Sequence, residues 1–437
     1  MGREKIVIFW FRRDLRLADN AGLYHALKSG FKVLPIFIFD TDILDKLNDK
    51  ADARITFIYK ELVAIKKELE EKHSTSLLVL HGKPDQVWEN LIKDYSVTEV
   101  YTNHDYEPYA IKRDSDLKCF FEKNQIKFKT FKDQCIFEKD EVLKDDGKPY
   151  VVFTPFKNKY LAKLRPFHYK AYPTEKYSEN FLKIEPCILP GLNNLGFQES
   201  KIPFPNKEYK SILKDYGHDR DFPAMDATSH ISVHLRFGTV SIRELVATAL
   251  AQKSSVWLSE LIWRDFYFTI LYHFPHSATA SFRKEYAQIK WRNNETEFKA
   301  WCEGKTGYPM VDAGMRQLNQ TGFMHNRVRM VVASFLTKHL LVDWRWGEHY
   351  FAEKLLDYEL SSNVGGWQWA AGSGVDAAPY FRIFNPHEQL KKFDKDLKYI
   401  KKWIPEFDDV FKYPKPIVDH KMARERCLKT YREALKK

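Results

Sequence analysis

From Lys5 to Phe11 the chain reads KIVIFWF, a short apolar run that predicts a buried strand. NAGLYHALKSG follows as a short helix stopped at Gly30, and KVLPIFIFD predicts a second strand with an acidic end. A long helix over 54–72, a strand at TSLLVLHG, a helix over 85–94 and a strand at TEVYTNHDYEPY continue the rhythm. Strands alternating with helices predict a parallel sheet covered by helices, a Rossmann-like α/β domain over residues 1–133. Ligands on such sheets lie at the carboxyl ends of the strands, here Phe39 and Asp40, His81, and the stretch from Asn103 to Glu107. Residues 134–200 are rich in Pro, Lys and Asn with weak periodicity and predict a long linker, most plainly at EPCILPGLNNLG. From 201 to 437 the pattern is helical, as in SIRELVATALAQ, WLSELIWRDFYFTILYHF, MHNRVRMVVASFLTKHLLV and HYFAEKLLDYEL. This predicts an all-α domain closed by a helix at ERCLKTYREALKK, with no internal repeat or low-complexity tract.

A length of 437 residues allows two or three domains with full cores. The net charge of +11 points to a polyanionic partner, nucleic acid ahead of a membrane surface. The 5 cysteines are odd in number and form no CxxC, so they read as reduced thiols of an intracellular, cytoplasmic protein. Arg12 and Arg13 break the first apolar run, which is too short for a signal peptide, and no run is long enough to span a membrane. Gly2 is at most a marginal myristoylation position.

Several familiar motifs fail on inspection. EGKTG at Glu303 to Gly307 resembles the end of a Walker A loop, but the glycine that loop needs is Lys299 here. No GxGxxG follows a strand, AGSG at Ala371 to Gly374 is not GxSxG, and no HExxH or paired Cys/His spacing predicts a metal.

Three helical segments carry candidate chemistry. Trp257, Glu260, Arg264 and Tyr267 fall at spacings of three and four and share a face, with Trp263 three after Glu260. Taken alone, that is an amphipathic core helix with a peripheral ion pair. Asn326 and Met330 share a face, while Arg327 and Arg329 project elsewhere, as on a basic surface helix. Thr228, Ser229 and Ser232 precede an apolar helical stretch, where they could cap the helix or present its N–H groups to a phosphate.

Read together, FWFRRDLRL, RDFPAMDATSHIS, ELIWRDFY, GKTGYPMVDAGMRQL, MHNRVRM and NVGGWQWAAGSGVDAAPYFRIFNP resemble the photolyase/cryptochrome family over essentially the whole chain. They are most similar to class I bacterial DNA photolyases for cyclobutane pyrimidine dimers. The resemblance implies FAD in the helical domain and UV-damaged DNA as partner, with light-excited reduced FAD passing an electron to a flipped-out dimer and receiving it back. It implies flavin contacts at Tyr216, Thr228, Ser229, Ser232, Trp257, Glu260, Arg264, Arg329, Asp357, Glu359 and Asn363. Asp357 and Arg329 would pair beside the ring, and Asn363 would lie near the flavin N5. Insect and plant cryptochromes usually carry Cys and Asp at that last position, and close bacterial relatives usually carry Asp where this chain has Glu359. Substrate contacts would be Glu260, Trp263, Asn326, Arg327, Met330 and Trp369, and Arg220, Arg327, Arg382 and Gln389 would hold the DNA strand.

Two tryptophans one residue apart, Trp367 and Trp369, stand in the glycine-rich stretch NVGGWQWAAGSG. The expectation is an extended or sharply turned segment, with Trp367 facing the flavin and Trp369 the substrate, and the glycines letting backbone approach the ring. By the resemblance, Trp367, Trp344 and Trp291 form an electron path that reduces the flavin under light. An antenna chromophore would sit on the N-terminal sheet. Tyr109 and Ala110 replace the Asn-Glu pattern of folate-binding members, so a deazaflavin-type antenna is favoured over folate, with a flavin or no antenna as the other cases. The alternatives to dimer repair are a signalling cryptochrome, a (6-4) photolyase, which usually has a histidine pair where this chain has Met324, His325 and Asn326, and a single-strand-preferring relative of the DASH type. A monomer is expected, with no membrane partner.

Overall fold

The computed structural model describes residues 3–435 and resolves them into two compact units. Gly2 lies outside the described residues. The first unit runs through Glu138 and takes in Leu164–Lys207 and Ile231–Thr248. The second holds Lys139–Lys163, Glu208–His230 and the chain from Ala249 onward.

The first unit is built on five parallel strands, β1 (Lys5–Phe11), β2 (Lys32–Asp40), β3 (Leu78–Gly82), β4 (Ser96–Asn103) and β5 (Lys127–Phe131), in the order β3-β2-β1-β4-β5. Ile6, Ile8 and Trp10 of β1 point to one side, where they pack with Leu34, Ile36 and Ile38 of β2 and with Val87, Trp88 and Leu91 of the helix Pro84–Asp94. Val7, Phe9 and Phe11 point the other way and are equally buried, as a sheet covered on both faces requires. The strand order reverses at β1, and the ends of β1 and β4 flank that switch point. There the Asn103 carboxamide is buried, donating to Asp14 and to Asn20 Oδ1 (2.8 Å) and accepting from the Gly22 N–H (2.8 Å). The predicted strands and helices are present. The chain adds elements the pattern did not show, among them the short helix Thr41–Leu44, a helix at Pro108–Lys123 and the edge strand β5.

The stretch expected as a linker, 134–200, is divided between the two units. Its helix Phe153–Lys163 buries Phe153, Phe156 and Tyr160 in the second unit. Farther on, the Leu182 N–H donates to the Val33 carbonyl of β2 (2.8 Å) in the first. Aromatic side chains and a strand-edge hydrogen bond hold both parts down, so neither behaves as a free tether. Ile231–Thr248, expected within the helical domain that begins at 201, groups with the first unit. Arg243 explains why: its guanidinium pairs with Asp19 (2.8 Å) and Asp133 (2.7 Å), and Asp133 also takes Arg16 (2.7 Å).

Burial alone would raise the Asp133 carboxyl, but Arg16 and Arg243 outweigh it and hold it down to about 2. Its contribution to stability is therefore full above the ordinary carboxylate range near pH 4 and is lost as pH falls toward 2. Replacing Asp133 with Ala leaves Arg16 without its carboxylate partner and Arg243 with Asp19 alone, both largely out of water. We expect a loss of about 3–5 kcal/mol, read as an earlier denaturant midpoint. An unchanged midpoint at pH 7 would show that the arginines find other partners.

Candidate functional site

A cavity of about 380 Å³ opens within the helical unit, in the size range of small-molecule sites. Four helices bring residues to it: α1 (Ser255–His273), α2 (Asn326–Ser334), α3 (Trp344–Lys354) and α4 (Leu360–Ala371).

Along α1, Glu260, Trp263 and Tyr267 recur at helical spacing and line the cavity, while Leu258, Leu261, Ile262 and Phe266 are buried elsewhere on the helix. Trp263 is fixed from behind by a parallel stack on Phe153 at 3.7 Å. Glu260 forms an ion pair with Arg220, which also lines the cavity and lies over the Tyr216 ring. The expected common face is narrower than predicted. Trp257 turns away to stack on Tyr209 (5.2 Å) and donates its indole N–H to Ser229 (3.4 Å), and Arg264 lies over Phe268. At 3.6 residues per turn these two sit roughly a quarter-turn from the middle of the cavity face.

Asn326 and Met330 of α2 line the cavity together, as their spacing requires. Arg329 does not project elsewhere, as the spacing argument had it. It lines the same cavity, because Asp357 draws its guanidinium inward through bonds of 2.9 and 3.1 Å while its Nε donates to the Met324 carbonyl (2.7 Å). Arg327 does turn aside, pairing with Asp221 (2.8 Å) and covering Phe393 at 4.4 Å. The helix is capped by His325, whose ring nitrogen accepts from the Arg327 N–H (3.2 Å). Burial pushes that imidazole down to about 4, so at neutral pH it stays uncharged and able to accept.

The tryptophan pair sits on a helix, not on an extended or turned segment. In α4, Trp367 and Trp369 are about 200° apart around the axis. The face between them carries Asn363 and Gly366, so the rings stand at its two margins, and all four residues line the cavity. The adjacent glycines have separate tasks. A Cβ on Gly365 would meet the Tyr267 ring at 2.2 Å, so Gly365 serves the packing of α1 on α4. Gly366 would meet nothing within 4 Å and opens onto the cavity. On α3, Gly347 admits the Trp367 ring, which would lie 2.1 Å from a Cβ there. Glu359, just before α4, completes this wall with Asp357.

The remaining predicted residues lie outside the cavity lining. Trp344 is fully buried in the core cluster that holds Trp367, and Trp291 packs against that cluster, edge-on to Tyr431 at 6.1 Å. Thr228 contacts His230 (3.4 Å). Ser232 begins the helix Ser232–Phe237, whose cap residue is Ile231 and has no side-chain cap, so the expected hydroxyl capping is not made. Arg382 is exposed with its carbonyl accepting from Lys338 Nζ (2.8 Å), and Gln389 is half-buried on Pro386–Phe393. One contributor escaped sequence reasoning. Glu348 of α3 accepts both amide bonds of Asn363, and burial raises its carboxyl.

The lining suits a planar aromatic group with a polar edge. Trp263, Tyr267, Phe351, Trp367 and Trp369 supply apolar walls, the Arg329–Asp357 pair a compensated charge, and Gly366 an open floor. Among the described residues no cluster could hold a metal ion, and no helix is long and apolar enough to cross a membrane.

The fold is thus a two-unit protein, one unit a five-stranded parallel α/β sheet and the other helical with an aromatic cavity, and the comparisons name its class. The family model for DNA photolyase matches residues 7–176, and that for the FAD binding domain of DNA photolyase matches 257–412. A deoxyribodipyrimidine photo-lyase of a Synechococcus strain is 37% identical, over 98% of this chain and 96% of its own. The crystal structure of a bacterial class III photolyase from Agrobacterium tumefaciens superposes with a TM-score of 0.89 at 34% identity, covering 99% of this chain and 98% of that one. An archaeal photolyase from Sulfolobus tokodaii, solved with two FAD molecules, gives 0.82 at 35% identity, with 98% and 99% covered. The chain belongs to the DNA photolyase family and, within it, to the deoxyribodipyrimidine photo-lyase enzymes.

Proposed function

We propose that the protein splits cyclobutane pyrimidine dimers in UV-damaged DNA by light, with FAD in the helical cavity. The observation that carries this is that members of both expected residue groups, flavin and substrate contacts, meet on one cavity. Arg329, Asp357, Glu359, Asn363 and Trp367 line it together with Glu260, Trp263, Asn326, Met330 and Trp369. Bound there, reduced FAD would supply a light-driven one-electron donation that is returned after the dimer splits.

The chain's own residues bind and orient. Glu260, ionised against Arg220, accepts from pyrimidine N–H groups, and the Asn326 carboxamide both donates and accepts. Trp263, stiffened by Phe153, and Trp369 wall in the flipped bases, with Met330 filling space between. A dimer already stacks poorly, so flipping it costs less than flipping an intact pair. Arg220, Arg327, Arg382 and Gln389 hold the strand, and with a net charge of +11 the affinity falls as salt rises. Tyr216, Thr228, Ser229, Ser232, Trp257 and Arg264 serve the rest of the FAD molecule. The N-terminal sheet takes an antenna at its strand ends, of deazaflavin type in preference to folate. Asp40, Tyr109 and Arg113 gather there, with the Tyr109 hydroxyl donating to Asp40 at 2.7 Å. The enzyme works as a cytoplasmic monomer.

The test mixes reduced protein with two oligonucleotides, one bearing a cyclobutane dimer and one a (6-4) photoproduct, in the dark and under blue light. Light-dependent loss of the first lesion only is expected. Repair of neither, with bound FAD bleaching normally, would replace repair by a photoreceptor role.

Trp367, Trp344 and Trp291 form the electron path for photoreduction, running from the cavity wall through the core cluster to its margin. Trp367→Phe is therefore expected to slow light-driven reduction of oxidised FAD while chemically reduced protein repairs at nearly its normal rate. Flash spectroscopy decides it, and an unchanged photoreduction rate would remove Trp367 from the path.

A further inference from the structure

Lys338 is a charge that the chain buries without a counter-ion. It is 1% exposed, and its Nζ donates to the Arg382 carbonyl (2.8 Å). Among the described residues no carboxylate pairs with it. It stands on a single π-helical turn, Phe335–His339, that continues α2, and such turns gather at functional sites. Taking an ammonium out of water is costly, and one carbonyl does not offset that cost. Arg382 adds a like charge close by.

What Lys338 holds is the turn between α4 and the helix Pro386–Phe393. There the Arg382 N–H donates to the Pro379 carbonyl (2.8 Å), and Pro379, Phe381 and Arg382 are exposed. Beside them the Tyr380 ring lies parallel to Tyr431 at 5.9 Å, on the final helix His420–Leu435. A ring and an ammonium thus pin the turn from inside at neighbouring positions, while Arg382 stays open to solvent.

We propose that Lys338 is a positioning residue for DNA: it fixes the Arg382 turn for a strand phosphate, and that phosphate supplies the negative charge Lys338 lacks. This rests on the reading that Arg382 holds the DNA strand. Burial, with Arg382 adding to it, pushes the Lys338 ammonium down to about 8 in the free protein. A phosphate at Arg382 favours the charged form, so DNA binding raises that value and takes up a proton. Affinity is therefore full below about pH 7 and falls as pH rises through 8. The immediate neighbours do not titrate there. Burial raises Cys427 and Tyr431 of the final helix, the thiol to about 12, and pushes His339 down to about 3. His339 in turn faces His420, also held down by burial, together with His387 and Arg426.

The test is fluorescence anisotropy in the dark with FAD-loaded protein and two duplexes, one bearing a cyclobutane dimer and one intact. Wild-type affinity for both is expected to fall about fivefold from pH 7 to pH 9, the effect of a rise of about one pH unit at Lys338 on binding. Lys338→Arg keeps the charge throughout, so it is expected to bind as wild type does at pH 7 and to show no such fall. Lys338→Met is expected to bind both duplexes roughly tenfold more weakly, without the fall and with a salt slope smaller by about one phosphate. Its denaturant midpoint should hold or rise, because an apolar chain of similar length removes the buried charge. A wild-type affinity flat in pH, or a fall that persists in Lys338→Arg, would overturn the proposal. So would a lower midpoint or lost FAD in Lys338→Met, which mark a structural residue. Arg382→Gln separates the two readings. Unchanged affinity in that variant sinks the Arg382 contact itself, whereas weakened binding there beside full binding in Lys338→Met sinks only the role of Lys338.

Discussion

Asp357→Ala is expected to yield folded protein that purifies with little or no FAD. The Asp357 side chain is 4% exposed and pairs with Arg329, itself 25% exposed, on the cavity wall. Removing the carboxylate leaves a guanidinium facing an aromatic cavity with its strongest partner gone. Breaking a buried pair from one side costs about 3–5 kcal/mol, far more than the pair's net worth, because the remaining charge stays desolvated. A planar ligand entering the site would have to leave that charge uncompensated, so the cost falls on binding. Asp357→Asn keeps a bond to Arg329 without the charge and should retain an intermediate amount. The visible absorbance of bound flavin relative to protein, read after purification, measures both. Full occupancy in Asp357→Ala would show that the pair is not part of the cofactor's seat.

Glu260→Ala acts on the other side of the cavity. A hydrogen bond to a charged group is worth about 1.5–3 kcal/mol, so affinity for dimer-containing DNA should fall roughly 10- to 100-fold while FAD content stays unchanged. Affinity for undamaged DNA should hold or rise slightly, because Arg220 loses its internal partner and can turn fully to phosphate. Competition binding against damaged and undamaged duplexes reads this difference directly. Loss of FAD in Glu260→Ala would make Glu260 chiefly a cofactor residue, a role the family resemblance also allows.

Much of this architecture was readable along the chain. The strands β1 and β2 announce themselves because they lie inside a parallel sheet that buries both faces, so nearly every residue in KIVIFWF and KVLPIFIFD is apolar. β5 does not, because it is an edge strand whose KFKTF carries lysines toward solvent. The helix Pro108–Lys123 is hidden because its apolar residues keep no clear stripe, with only Ala110, Leu117 and Phe121 buried. In the site, Glu260 and Trp263 on α1, and Asn326 with Met330 on α2, are linked by spacings of three and four, and helical geometry brings each pair to one face.

The sequence by itself determined the parallel sheet, the helical second half, the family, and those residues whose placement follows from local periodicity. Only the tertiary structure decided where Arg329 points, what Glu348 does, that Trp367 and Trp369 flank one face of a helix, and that 134–200 and Ile231–Thr248 are shared out between the two units. The physical reason is range. Helix and strand periodicity is set by the backbone within a few residues. The Arg329–Asp357 pair, the Asn363–Glu348 bonds and the Arg243–Asp133 pair join residues 28, 15 and 110 positions apart, and no local pattern encodes them.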